Sequence, residues 1–124
     1  MMGVHGNGLT SLVWMKPTPQ STVIEFFFPQ GFAHDYEYTT RGLGMVHYGF
    51  WNSKYVVSSI PSFSLYIIHI LHHLLTHISR FFTSPGFPPR NYPEGFQGNA
   101  IPIDGAAVAK LCVDRITLAI EADD

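Results

Sequence analysis

The chain has 124 residues, enough for one small domain, and 13% of them are charged while 46% are hydrophobic. A net charge of −2 at pH 7 gives no electrostatic argument for binding to nucleic acid or to a membrane surface. The single cysteine, Cys112, excludes an internal disulfide framework and is expected to be a buried small apolar residue in a helix.

A glycine turn followed by a helix is predicted near the start of the chain. A short apolar segment leads into His-Gly-Asn-Gly at residues 5–8, and residues 9–15 are an apolar, helix-like run. Gly6 and Gly8 let the backbone turn tightly and leave no side chain in the path of a ligand. Because the first N–H groups of a helix lack intrahelical acceptors, such a turn suits an anionic group such as a diphosphate. Units of this kind normally lie inside an α/β domain, so we expect the chain to begin part-way through one.

Strand and helix patterns alternate after this turn. A proline-bearing link at 16–19 ends the first helix, since proline cannot continue the hydrogen-bond ladder. Residues 22–28 are β-branched and aromatic and predict a buried strand, closed by Pro29. A helix over 34–43 and a second strand over 45–51 follow. This order is that of half a doubly wound α/β sheet.

Residues 55–80 differ from the rest of the chain, because they contain no acidic residue and are rich in Ser, Ile, Leu, His and Phe. On a helix, His69, His73 and His77 would share one face, which is the geometry of a metal site. No carboxylate or cysteine lies nearby, so we expect no metal there. The histidines and Arg80 also make the segment a poor membrane span. We therefore interpret it as an apolar, His-rich insertion that is unrelated to the α/β domain.

A loop and a final helix are predicted at the far end of the chain. Residues 84–102 are rich in proline and glycine and predict an extended surface loop. Asp104 is a candidate N-cap for a helix over 106–119. Three residues give this helix its apolar character, Leu111, Ile116 and Leu118.

Three sequence motifs point to a family. They are His-Gly-x-Gly-Leu-Thr at 5–10, Val-Ile-Glu at 23–25 ahead of an aromatic run, and Asn-Tyr-Pro-Glu-Gly-Phe-Gln-Gly-Asn at 91–99. Together they resemble the C-terminal part of family 61 glycosyltransferases, which include EGF-domain O-GlcNAc transferases and xylan-decorating transferases, and most closely the fungal members. The departure in the first motif is Asn7, where the family commonly has Ala. Asn tolerates unusual backbone angles, so the turn is expected to persist.

The resemblance implies a fold and a division of the chain. It covers residues 2–54 and 81–118 and implies a partial Rossmann-like, donor-binding domain of a two-domain glycosyltransferase. Residues 1–54 would form the donor-binding α/β segment, 55–80 the insertion, and 81–124 the loop and C-terminal helix of the same domain. The general base would lie in the other domain, so we expect the isolated chain to be inactive. Full-length relatives would act in the secretory pathway, in the ER or Golgi.

The implied function is transfer of a sugar from a nucleotide-sugar, a UDP-sugar by the likeness, to a protein or glycan hydroxyl. The loop would stabilise the leaving diphosphate without a metal. The N–H groups of Leu9 and Thr10 and the Thr10 hydroxyl would donate to it. His5 would either neutralise the leaving phosphate or only hydrogen-bond the loop. The predicted donor-binding residues are His5, Gly6, Gly8, Leu9, Thr10 and Glu25.

Glu25 lies in an otherwise apolar strand, and a buried carboxylate needs partners. At the carboxyl end of its strand it would face the ligand crevice of such sheets and could hold ribose or sugar hydroxyls. The alternative is a structural salt bridge.

Two other functional classes stay open. One is a truncated fragment without catalytic activity, and the other is a small membrane-associated or metal-binding protein built around residues 60–82. A glycosyltransferase would bind UDP, and a small membrane-associated or metal-binding protein would bind lipid or zinc. An inactive fragment would bind none of these.

Residues 55–80 also fit a translated, unspliced intron. The codons of Lys54, Tyr55 and Val56 permit a GTATGT donor site, and the Arg80 codon permits the acceptor AG. Removing the segment keeps the reading frame and restores the family-like run after Lys54. We therefore expect the segment to pack poorly, with few contacts to the α/β layers.

Overall fold

The sheet and its helices lie in residues 1–58, 88–93 and 100–123, the parts of the chain that the computed structural model describes. The elements of these ranges, in chain order, are β1 (Met2–Val4), the 3-10 helix η1 (Asn7–Trp14), β2 (Thr22–Phe26), α1 (Asp35–Gly42), β3 (Val46–Trp51), β4 (Lys54–Ser58) and α2 (Gly105–Asp123).

The four strands form one sheet in the order β1-β2-β3-β4. The first three strands are parallel, and β4 is antiparallel to β3. Parallel neighbours need a crossover connection, and here η1 joins β1 to β2 while α1 joins β2 to β3. The α/β class predicted from the alternation of elements is confirmed.

Helices cover both faces of β2, which explains its apolar sequence. Val23 packs with Leu9 of η1 on one face of the sheet, which we call the η1 face. Ile24 and Phe26 pack with Leu111 of α2 on the opposite face, the α2 face. The side chains of β2 therefore alternate between two apolar clusters, as the period of a strand requires.

The four elements predicted between residues 9 and 51 are present, with boundary shifts of one or two residues. The first helix is a 3-10 helix and begins earlier than predicted, at Asn7. The Leu9 N–H donates to the Gly6 carbonyl, three residues before it, at 3.0 Å. This short hydrogen-bond span is the mark of a 3-10 turn.

The N-cap predicted for the last helix is confirmed. The Asp104 carboxylate accepts hydrogen bonds from the N–H groups of Ala106 and Ala107 at 3.0 and 3.1 Å. It thereby satisfies two N–H groups that have no acceptor within the helix.

Only the first part of α2 packs on the sheet. Leu111 is buried, whereas Ile116 is 61% exposed and Leu118 is 53% exposed. The Arg115 guanidinium donates to the Thr22 hydroxyl at the start of β2, at 3.0 Å. The packed part of α2 therefore runs from Asp104, whose N–H donates to the Asn52 carbonyl after β3, to Arg115 at the start of β2.

The expectation that residues 55–80 make few contacts with the α/β layers is wrong for 55–58. These residues belong to β4 and pair with β3 along its length. Ser58 is buried. The alternation of β-branched and aromatic residues at 55–57 suits a strand, and this local pattern outweighs the composition of the longer segment. Residues 59–80, including the three aligned histidines, lie outside the described residues.

Of the predicted loop, residues 88–93 and 100–102 are described. They contain no helix and pair with the rest of the domain through a single bridge, between Asn91 and Phe32. Cys112 is half-buried and packs against the apolar cluster of the α2 face. No helix within the described ranges is long and apolar enough to cross a membrane.

Candidate ligand site at the glycine turn

The carboxyl ends of three parallel strands meet at one edge of the sheet, where open α/β sheets bind ligands. His5 directly follows β1, Phe27 directly follows β2, and Trp51 is the last residue of β3. The predicted glycine turn begins at His5, so it lies at this edge.

The backbone of the turn depends on glycine. Gly6 has φ of 148° and ψ of 178°, a conformation that residues with a β-carbon rarely adopt. A β-carbon added at Gly6 or at Gly8 would meet no other atom within 4 Å. The described protein therefore leaves space in front of both glycines, as a turn that admits a ligand would need.

The N–H groups that begin the helix differ from the predicted donors, which were those of Leu9 and Thr10. The Leu9 N–H donates to the Gly6 carbonyl within the helix, and the Leu9 side chain is buried. The N–H groups of Asn7 and Gly8 come first in η1, and a helix provides no internal acceptor for these positions. Thr10 is exposed, with its hydroxyl 3.4 Å from that of Tyr36.

Glu25 lies between two histidines, His5 directly after β1 and His47 on β3. Its Oε1 is 2.5 Å from Nδ1 of His5, and its Oε2 is 2.7 Å from Nε2 of His47. Glu25 and His47 are fully buried, and 9% of the His5 side chain is exposed. Both carboxylate oxygens are engaged by imidazoles, which favours the structural alternative for Glu25 over direct contact with a sugar.

Glycines on both sides of Glu25 make room for this network. Glu25 is paired with Gly3 on β1 and with Gly49 on β3. A β-carbon at Gly3 would lie 3.1 Å from the Leu9 side chain, and one at Gly49 would lie 3.3 Å from the Phe27 ring. A residue larger than glycine at position 3 or 49 would therefore displace the Leu9 side chain or the Phe27 ring.

Aromatic rings surround His5. Its imidazole stacks on Phe27 at a centroid distance of 5.4 Å and meets the edge of Tyr36 at 5.8 Å. The Tyr92 ring lies 6.5 Å away. His5 is therefore held by packing as well as by Glu25.

Residues 88–93 reach the site through backbone pairing with the turn after β2. Asn91 and Phe32 exchange two backbone hydrogen bonds of 2.9 Å, and the Asn91 amide donates to the Gln30 carbonyl. This pairing places Tyr92 beside His5 and brings the Arg90 guanidinium to 6.0 Å from the Tyr92 ring. A positive charge therefore lies next to the aromatic wall of the site.

A second buried carboxylate lies on α1, under the same face of the sheet. Glu37 accepts a hydrogen bond from the Ser58 hydroxyl at 2.6 Å. His34 and Arg41, its neighbours on or beside α1, lie 3.4 and 3.6 Å from its oxygens. This cluster joins α1 to β4, where Ser58 is paired with His47 of β3.

The sequence assigned no role in the site to His47, Tyr36, Arg90 or Tyr92, although Tyr92 lies in the family-like motif at 91–99. His47 shares a face with Glu25, and this could be read from the sequence only if the register of the two strands were known. Tyr36 and Tyr92 lie in segments whose periodicity reveals nothing of their partners.

Within the described ranges, no three His, Cys, Asp or Glu side chains are placed to hold a metal ion. Comparisons of the chain with protein families, with curated proteins and with solved structures find no match.

Proposed function

We propose that the chain is the donor-binding part of a glycosyltransferase that transfers a sugar from a UDP-sugar to a protein or glycan hydroxyl. The observation that carries the proposal is the position of the glycine turn. A strand, a turn with open space before Gly6 and Gly8, and a helix start follow one another at the carboxyl edge of parallel strands. The resemblance of residues 5–10 and 23–25 to family 61 glycosyltransferases supports the same assignment.

The turn would act on the leaving group of the reaction. When the bond between sugar and diphosphate breaks, its electron pair stays on the phosphate oxygen, and negative charge grows there. The N–H groups of Asn7 and Gly8 would donate to the diphosphate, and His5 and Arg90 would supply protons and positive charge nearby. The acceptor's general base belongs to the acceptor-binding part of such an enzyme.

The direct test is binding of UDP to the full chain by isothermal titration calorimetry. A side chain at Gly8 would fill the space that the diphosphate needs, while it meets no protein atom within 4 Å. We expect Gly8→Val to weaken UDP binding by roughly tenfold or more and to leave the fold intact.

Gly42→Val is the matched control, because Gly42 at the end of α1 also has open space around its β-carbon position. UDP should bind this variant as it binds the wild type. Equal UDP affinity for Gly8→Val and the wild type, or no UDP binding by the wild type, would contradict the proposal.

A further inference from the structure

The hydrogen bonds of Glu25 determine which nitrogens of two histidines carry protons. An ionised carboxylate has no proton to donate, so each imidazole must donate to it. His5 then donates through Nδ1 and His47 through Nε2. The hydrogen bond at one ring nitrogen thereby selects the tautomer of the whole ring.

Burial distinguishes the three groups. Glu25 and His47 have no exposed side-chain surface, so neither can touch a ligand at the turn. His5 is the member of the network that reaches the surface, and it directly precedes Gly6. With Nδ1 committed to Glu25, Nε2 is the nitrogen through which His5 would contact a ligand.

We propose that Glu25 and His47 are positioning residues that hold His5 in its Nδ1–H tautomer, with Nε2 directed to a phosphate group at the glycine turn. This inference rests on the proposed function for the identity of the ligand. The His5–Glu25 and Glu25–His47 contacts themselves do not depend on it.

Proton balance indicates how the phosphate would be bound. In the Nδ1–H tautomer Nε2 is an acceptor, so a second proton would have to bind together with the ligand before Nε2 could donate to a phosphate oxygen. Tyr36 on α1 and Tyr92 face the His5 ring, and His47 on β3 shares the Glu25 carboxylate with it.

The first experiment needs no ligand. Long-range ¹H–¹⁵N correlation spectra of the ¹⁵N-labelled full chain, recorded at a pH where the imidazoles are neutral, report which nitrogen of each histidine is protonated. We expect the Nδ1–H tautomer for His5 and the Nε2–H tautomer for His47. The Nε2–H tautomer at His5 would overturn the inference, whatever the chain binds.

The variant Glu25→Gln tests whether Glu25 in particular orients His5, or whether the loss of any buried carboxylate has the same effect. A Gln side chain accepts at its oxygen but donates at its nitrogen, so it cannot accept from both imidazoles. Because the Gln oxygen can accept from only one of the two imidazoles, we expect either His5 or His47 to change tautomer in this variant. Glu37→Gln is the matched control, because Glu37 is equally buried and accepts its hydrogen bond from Ser58. It should leave the His5 signals unchanged, and a tautomer change at His5 in both variants would contradict a specific role for Glu25.

UDP is the probe for the second half of the inference. Added to the wild type, it should protonate both nitrogens of His5, and its affinity should fall by roughly tenfold in Glu25→Gln. UDP binding without a change at His5 would overturn the role of Nε2 while the proposed function survives. The predicted tautomers without any UDP binding would refute the proposed function and leave only the structural network.

Discussion

Tyr48 is a buried phenol whose ionisation is coupled to folding. It lies on β3 on the α2 face and is 8% exposed. Burial raises its pKa above the ordinary value of 10.0, and the nearby Arg115 offsets only part of this effect. In the unfolded chain the phenol loses its proton at lower pH than in the folded chain. Its contribution to stability is therefore complete below pH 10.0 and declines as the pH rises through the higher folded value.

We expect the free energy of unfolding to fall more steeply with pH in the wild type than in Tyr48→Phe between about pH 9 and about pH 11. Urea unfolding at several pH values measures this difference. Tyr38→Phe is the control, because Tyr38 is a half-exposed tyrosine on α1, on the other side of the sheet, and the variant should keep the pH dependence of the wild type. Parallel curves for the wild type and Tyr48→Phe would contradict the prediction.

Some residues of the site could be predicted from their own chemistry and the local sequence around them. The turn at Gly6 and Gly8 follows from glycine alone, and Glu25 stands out as a carboxylate in an apolar strand. The partner of Glu25 was not predictable in the same way. His47 is 22 residues away, and it meets Glu25 only because two parallel strands pair in one particular register.

Among the elements, α2 owes its start to its N-cap. The Asp104 carboxylate accepts from two N–H groups of the first turn. We expect Asp104→Ala to lower the free energy of unfolding by about 1 kcal/mol. Chemical denaturation followed by circular dichroism measures this loss.

Asp114→Ala controls for the removal of an aspartate from the same helix. Asp114 pairs with Lys110 at 2.7 Å on an exposed surface, where ion pairs contribute little. If the two substitutions cost the same, the capping contribution of Asp104 is absent.

Strands and helices were predictable to different degrees, for physical reasons. β2 and β3 are largely apolar because helices cover both faces of the sheet, and such runs are visible in sequence. The 3-10 form of η1 rests on backbone hydrogen bonds that span three residues, such as that from Leu9 to Gly6, and periodicity does not reveal it. β4 was missed because the unusual composition of residues 55–80 hid a strand pattern at its start.

At the scale of the whole molecule, β4 connects the sheet to α1. Ser58 ends β4, is 2% exposed and donates to the buried Glu37. Without that donor, Glu37 would lose one of the hydrogen bonds that a buried carboxylate needs. The residue at the end of β4 therefore matters for packing as well as for pairing.

Two alternative segments of the sequence could form the fourth strand. Deletion of residues 55–80, the segment interpreted as an unspliced intron, joins Lys54 to Phe-Phe-Thr-Ser at 81–84. Ser84 then stands four residues after Lys54, the position that Ser58 holds in β4. We expect the shortened chain to keep a fourth strand, with Ser84 bonded to Glu37, and to unfold at a temperature no lower than that of the full chain.

Substitution of each serine tests this equivalence. We expect Ser84→Ala in the shortened chain and Ser58→Ala in the full chain each to lower the free energy of unfolding by about 1–3 kcal/mol, because each leaves Glu37 short of a donor. Ser53→Ala, at an exposed turn before β4, should change neither chain. If Ser84→Ala is neutral in the shortened chain, the register argument fails.

If sequenced transcripts all retain the codons of 55–80, the shortened chain is not a natural product, and the function of that segment becomes the question.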